Sequence, residues 1–298
     1  MDKTLIIMAA GMGSRYGGLK QLDGVGPEGE TIIDYSVFDA QRAGFSKVVC
    51  IIRPDIEEEF KQKVGSKFSD TIKVEYAFQK LDAIPEGFEV PSKREKPWGT
   101  AHALLSAASQ VDGPFIVINA DDFYGKTSFL SASRFLDEIN PETLHAALIG
   151  YRLKNTLSPH GVVSRGICRV DGSNALSEIE EVHGIGRTEE GQIVDSSNRI
   201  LDEESFVSMN MWVSTPAIFP YIQEYFTDFL SNHGSELKSE FYIPDVISIL
   251  LKKGLKVPVI ETEEKWYGIT YREDKPELRA AIMGAIERGE YPPSLHKE

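Results

Sequence analysis

The stretch Leu5–Gln21, "LIIMAAGMGSRYGGLKQ", decides the reading of the chain. It begins as an apolar run, then breaks into glycines with an arginine and a lysine among them. Within it and one residue before, "TLIIMAA" (4–10) reads as a buried strand, because the apolar residues follow one another without alternation. Gly17, Gly18, Gly24, Gly26 and Gly29 then oppose a helix, and Gly11 and Gly13 let backbone N–H groups approach an anion closely. A glycine-rich loop leaving a strand is a usual form of phosphate site.

Two familiar loops of this kind fail on spacing. A P-loop needs G-x-x-x-x-G-K-[ST]. Here Gly13 is followed by Gly18, but Leu19 takes the lysine position, Lys20 comes one place late and no hydroxyl follows it. A dinucleotide fingerprint needs G-x-G-x-x-G, and Tyr16 occupies the third glycine, where a helix must pack close to the strand. What remains is an anion loop of another kind. Gly11 and Gly13 supply close backbone approach, Arg15 a planar, permanently charged fork, and Lys20 a mobile point charge.

Outward from this loop, short β-rich runs alternate with helical patterns. "TIIDYSVFDAQRAG" (31–44) has apolar residues at helical spacing, and Gly44 is placed to close the helix in a left-handed conformation. "SKVVCIIRP" reads as a second strand stopped by proline. "DIEEEFKQKVG" reads as a helix with acid in its first turn, which suits the helix dipole. "TIKVEYAF" is a third strand, "GTAHALLSAASQV" a helix and "GPFIVINADDFYG" a fourth strand with an acidic end. This alternation implies a parallel sheet covered on both faces. The segment Leu81–Pro97, rich in proline and charge, reads as an inserted loop long enough to be a flap.

From about Leu144 the pattern changes. "LHAALIGYRL", "GVVSRGICRV", "ALSEIEEVHG" and "SFVSMNMWVS" read as strands with few helices between them, an antiparallel or mixed extension forming a second wall. "TPAIFPYIQEYFTDFL" and "FYIPDVISILLKKG" return to helix. "KVPVIETEEKWYGIT" contributes strands, and "EDKPELRAAIMGAIERG" ends the pattern as an amphipathic helix.

Composition narrows the function classes. The 298 residues are 41% hydrophobic and 26% charged, which suffices for an ordinary core, and the formal net charge is −14. That charge repels nucleic acid and anionic membranes over most of the surface. No apolar run reaches the roughly 18 residues needed to span a membrane, and the chain runs directly into a structural strand where a leader would stand. The two cysteines, Cys50 and Cys168, sit in strand-like runs and read as buried thiols of a reducing cytoplasm. No hexapeptide repeat that would build a β-helix is present, so no second, acetyltransferase activity is expected.

Taken together, "AAGMGSRYGGLKQ" (9–21) resembles the signature loop of the sugar-1-phosphate nucleotidylyltransferases, a G-x-G-[ST]-R run followed later by a lysine. "KPWGTAHALLSA" (96–107) is similar to that family's P-x-G-T-A segment. "FIVINADDFYG" (115–125) is similar to its strand ending in a Mg²⁺-binding aspartate. More loosely, "PHGVVSRG", "SEIEEVHG" and "VSMNMWVSTPAIF" resemble its sugar-side segments. The resemblance implies a Rossmann-like three-layer α/β nucleotidyltransferase (GT-A-like) fold with a mixed, mainly parallel central sheet. It implies one domain over 1–298, with a nucleotide half (1–143) and a sugar-phosphate half with C-terminal helices (144–298). It assigns catalysis to Arg15, Lys20 and Asp121, nucleotide binding to Ala10, Gly11, Gly13, Ser14, Gln79, Gly99 and Thr100, and sugar binding to Gly161, Glu181 and Asn210. Asp121 would hold Mg²⁺, with Asp122 beside it. His102 reads as a packing residue.

The implied reaction joins an NTP to a sugar-1-phosphate, releasing pyrophosphate. These small molecules are the expected partners, with no nucleic acid or membrane among them, and a homo-oligomer is compatible with the chain. Two positions depart from the resemblance. Val182 stands where many members have a phosphate-binding lysine, leaving Arg187, His183 or Lys265 as substitutes. Gly268 stands where many have a second metal aspartate, leaving Asp121 alone or with Asp122, Asp202 or Glu203. Two other readings stay open: a cytidylyltransferase of the same fold acting on a phosphate such as phosphocholine, and a nucleotide-sugar-binding regulator without catalysis.

Overall fold

A computed structural model describes residues 2–11, 22–68, 71–269 and 273–296. Arg15, Lys20, Gly13 and Ser14 therefore lie outside the described residues. Among those described, the first half supplies β1 (Thr4–Met8), α1 (Ile32–Arg42), β2 (Lys47–Ile52), α2 (Glu57–Lys63), β3 (Lys73–Phe78), α3 (Thr100–Ser106) and β4 (Phe115–Asn119). Then come β5 (Asp122–Phe123), α4 (Lys126–Glu138), β6 (Ala146–Arg152), β7 (Val163–Val170), β8 (Leu176–Arg187), β9 (Ile193–Val194) and β10 (Phe206–Ser214). The last elements are α5 (Phe219–His233), α6 (Ile243–Lys252), β11 (Val259–Thr262), β12 (Tyr267–Gly268) and α7 (Asp274–Glu287).

Strands β3-β2-β1-β4 are parallel neighbours, and the sheet continues through β10, β7, β8 and β9 by antiparallel pairing. Period-two alternation sends the strand side chains to opposite faces. Leu5, Ile7, Ile116 and Ile118 face α1, α2 and α4, whereas Ile6, Phe115 and Val117 face α3, α5 and α6. The result is the α/β/α layering expected from the alternating pattern. Helix α1 starts at a capping box in which Thr31 accepts from the Asp34 N–H and Asp34 accepts from the Thr31 N–H, and Gly44 beyond it takes φ +89°. Both cysteines are buried and free.

Three features position the cleft. The strand order runs outward in both directions from β1 and β4, so their C-terminal ends form a switch point where open α/β sheets bind ligands. Strand β10 changes partner partway along: Phe206–Ser208 pair with β7 and Trp212–Ser214 with β4. Between them lies a bulge at which Asn210 takes φ +62°. Finally, β5 and β12 form a two-stranded ribbon in which Gly268 lies opposite Asp122. A third apolar cluster ties this ribbon, through Phe123 and Ile269, to Val25, Ile32 and Tyr35 and to Leu278, Ile282 and Tyr291. No helix among the described residues is long and apolar enough to cross a membrane.

Candidate active site

At the switch point Met8 is in register with Asn119. Ala10, just past β1, is buried, and Gly11 is exposed, with no atom of the described residues within 4 Å of where a Cβ would stand. The wall beyond is main chain. Gly99, at the N-cap of α3, has φ +103°. A side chain there would strike Phe241, with a Cβ 2.7 Å from its nitrogen. This close approach is sealed on both sides, by Phe241 N–H to the Trp98 carbonyl (2.7 Å) and Ala101 N–H to the Phe241 carbonyl (3.0 Å). Thr100 uses its hydroxyl to accept the Ile243 N–H (3.0 Å), joining α3 to the start of α6.

Gln79 is held in one orientation. Its Nε2 lies 3.0 Å from the Gly99 carbonyl and 3.2 Å from His102 Nδ1. His102 Nε2 is 2.9 Å from the Ala83 carbonyl, so it carries the ring proton and leaves Nδ1 as an acceptor. Both amide protons of Gln79 are thus committed, and its carbonyl oxygen has no partner among the described residues. Burial pushes the His102 imidazole below its ordinary pKa, which keeps it neutral for this role. The segment 81–97 is not a free flap. Trp98 Nε1 donates to the Leu81 carbonyl (2.9 Å), and the buried Arg94 stacks on Trp98 while donating to carbonyls of Pro97, Glu236 and Ser239. Arginine's five donors let one side chain tie the insertion to the turn after α5.

The acidic corner follows β4. Asp121 is half-buried and Asp122 is buried. Asp122 accepts from Asn119 Nδ2 (2.8 Å), and the Tyr124 hydroxyl stands 3.3 Å away, sharing its proton with the Met209 carbonyl at 2.9 Å. Asn119 in turn accepts from Asn210 Nδ2 (2.8 Å), whose own carbonyl receives Trp212 Nε1 (3.1 Å). Asn210, the expected sugar contact, is thereby linked through Asn119 to the carboxylate beside the expected metal ligand. A Cβ on Gly268 would press into the Trp266 indole and lie 3.0 Å from Asp122 Oδ1. The Trp266 ring fills the space that a carboxylate at 268 would need.

A cleft of about 730 Å³ joins this corner to the far wall and is lined by Thr100, Asn119, Asp122, Glu181, His183, Asn210 and others. Glu181 is exposed to it. Val182 is buried in the core behind it. His183 Nδ1 pairs with Ser164 Oγ (2.8 Å). Gly161 lies elsewhere, in a neighbouring recess of about 480 Å³ with Lys154, Arg187 and Lys265. Arg187 pairs with Glu203 (3.3 Å) and Lys265 lies over the Tyr267 ring, so neither lines the cleft. Asp202 and Glu203 also lie off it.

Sequence reasoning missed Asn119 and Arg165. Arg165 is only 8% exposed, on the core-facing parity of β7. Its guanidinium sits over the Trp266 ring (4.8 Å) and donates to Thr156 Oγ1 (3.2 Å), the Thr156 carbonyl and the Ser164 carbonyl (2.8 Å). Burial draws its pKa down to about 10, against the pull of Asp122, Glu181 and Asp274, so it stays charged at neutral pH. An arginine at a core-facing position of an amphipathic strand was the signal that could have found it.

The fold and the site define a nucleotide-handling α/β enzyme. Residues 4–182 match the nucleotidyl transferase family, and the chain belongs to it. The bifunctional protein GlmU of Acetivibrio thermocellus is 27% identical over 264 residues, which are 87% of this chain and 46% of that protein. The chain thus spans about half the length of the curated relative it matches. Similar solved structures include one from Bacillus anthracis assigned as a glucose-1-phosphate thymidylyltransferase, in complex with a sucrose (TM-score 0.64, 17% identity, 94% of each chain). Others are the inositol-1-phosphate CTP transferase of T. maritima (0.60, 15%, 94% and 96%) and UDP-glucose pyrophosphorylase complexed with UDP-glucose (0.60, 17%, 95% and 99%). At these identities the likeness is one of fold, and it is the nucleotidyltransferase fold expected from the sequence.

Proposed function

We propose that this chain transfers a nucleotidyl group from an NTP to a sugar-1-phosphate with Mg²⁺ bound, giving an NDP-sugar and pyrophosphate. The observation that carries the reading is the cleft running from the end of β4 and the start of α3 to a polar wall on β7, β8 and β10. Its volume suits a small ligand. In this reading Gly11, Gly13 and Ser14 bring N–H groups to the triphosphate while Gln79, Gly99 and Thr100 hold the nucleoside. Glu181 and Asn210 take sugar hydroxyls. The sugar-phosphate oxygen attacks the α-phosphorus in line, already anionic, so no general base is required. Arg15 and Lys20 stabilise the charge that develops, and the work is positioning plus electrostatics.

The donor chemistry fits Mg²⁺. This cation takes one or two carboxylates and leaves its other positions to phosphates and water. Asp121 and Asp122 stand at the strand end, and no group of three or more His, Cys, Asp or Glu able to hold a metal occurs among the described residues. Asp121 would hold the ion, with Asp122 beside it. When bound, the ion would neutralise phosphate oxygens.

The test is pyrophosphate release with each NTP against a panel of sugar-1-phosphates, with inositol-1-phosphate and phosphocholine added for CTP. The T. maritima neighbour's inositol-1-phosphate motivates that arm. Lys20→Ala and Asp121→Ala should each lower kcat/KM by about 10²–10³-fold. Wild-type-like rates in both variants would sink the assignment. Tight NTP binding with no release from any pair would favour the regulator instead.

A further inference from the structure

We propose that Arg165 is the residue that binds the phosphate of the acceptor substrate, contributing from β7 a cation that β8 does not supply. The inference rests on the acceptor carrying a phosphate, as in the reading above. A cleft for such a substrate needs a positive charge on its acceptor side. Among the described residues that line it, Arg165 is the only lysine or arginine, against the carboxylates of Asp122, Glu181 and Asp245. Arg165 also has capacity to spare. A guanidinium carries five N–H donors, and its three hydrogen bonds among the described residues all go to neutral oxygens of Thr156 and Ser164. A planar fork with two remaining donors suits phosphate.

The supporting corner is also unsatisfied. Trp266, which carries the guanidinium on its ring, has a buried indole N–H with no acceptor among the described residues. Buried donors are seldom left unpaired, and an exception calls for a ligand or a water. The position is set by register: Arg165 pairs with Val182 across β7 and β8. Directly opposed residues of an antiparallel pair point to the same face. A cation on either strand would therefore reach the same corner, next to the Asp122–Gly268 pair.

The experiment compares wild type, Arg165→Met, Arg165→Lys and the double variant Arg165→Met/Val182→Lys. Steady-state pyrophosphate release gives KM for each substrate separately, and circular-dichroism melting confirms that each variant is folded. Arg165→Met should raise KM for the sugar-1-phosphate by about 10- to 100-fold, as expected for loss of hydrogen bonds to a charged group. KM for the NTP should stay within about threefold. Arg165→Lys should fall between, and Val182→Lys should recover at least part of the loss. A lowered melting temperature with both KM values unchanged, or a parallel rise in both, would make Arg165 a structural cation and overturn the proposal. If the wild type releases no pyrophosphate with any substrate pair, the proposed function fails on its own. Calorimetry with inorganic phosphate then decides this inference: phosphate bound by wild type and lost in Arg165→Met supports it, and equal or absent binding in both overturns it.

Discussion

The two walls of the proposed site, one given to the nucleotide and one to the acceptor, are built from different materials. The nucleotide wall is main chain: Gly99 lies against Phe241, and Gln79 is fixed by a carbonyl and a neutral imidazole. The acceptor wall is side chain: Asn210 on a bulge, Glu181 exposed, Arg165 resting on Trp266. A wall of main chain tolerates only glycine where the backbones touch. A wall of side chains can draw the same charge from either of two paired strands. The first wall is therefore rigid in sequence, whereas the second can be rebuilt without changing the fold.

Gly99→Ala tests the first half of that contrast and should have the largest effect. The new Cβ meets Phe241 backbone, which cannot swing aside as a side chain can, and φ +103° adds strain. Overpacking and strain together should cost about 3–5 kcal/mol in urea unfolding. A loss under about 1 kcal/mol would show that α3 and α6 separate easily and that the wall is not rigid.

Helix α1, on the opposite face of the sheet from α3, is tied to the C-terminal segment where Asp39 accepts from Tyr291 (2.7 Å) and Arg42. Burial pushes the Asp39 carboxyl up to about 6, against the opposing pull of Arg42 and Tyr291. Between pH 4 and 6 the folded state then binds more protons than the unfolded one, so this group's contribution to stability is lost as pH rises. Asp39→Asn, which cannot ionise, should gain on wild type by about 2 kcal/mol between pH 4 and pH 7. A difference that stays flat with pH would mean that Arg42 keeps Asp39 ionised throughout, and the tie would then be an ordinary ion pair.

The same contrast explains what the sequence made legible. Strands and helices of the first half follow from periodicity, and Gly44 marks its helix end as read. Helix α4 was not read: its buried face includes Ser128 and Ser133, and polar residues hide an amphipathic stripe. Those serines are buried because they bond inward, Ser128 beside Tyr151 and Ser133 with Lys3 and the Ala43 carbonyl. The departures at Val182 and Gly268 were visible as letters, but their meaning was not. That the Trp266 ring folds over Gly268 is a matter of side-chain placement, and that Arg165 stands across from Val182 is one of strand pairing; neither is written in the letters. Gly161 lines the recess beside the cleft for the same reason, since a loose motif match carries no register.

The smallest effect, and the sharpest on the two walls, comes from His102→Phe. The new ring can still stack near Phe226, which now lies 4.8 Å from the imidazole, so packing is largely kept. What is lost is the acceptor that fixes Gln79 and the donor that holds the Ala83 carbonyl. One N–H of Gln79 then lacks a partner, a cost of about 1 kcal/mol, and the amide can turn its carbonyl away from the ligand. KM for the NTP should rise about three- to tenfold, with KM for the sugar-1-phosphate unchanged. Arg165→Met should do the reverse. If each variant moves only its own substrate, the walls act separately, with charge on one and amide orientation on the other. If both variants raise both KM values, the two walls are coupled and the division between them is wrong.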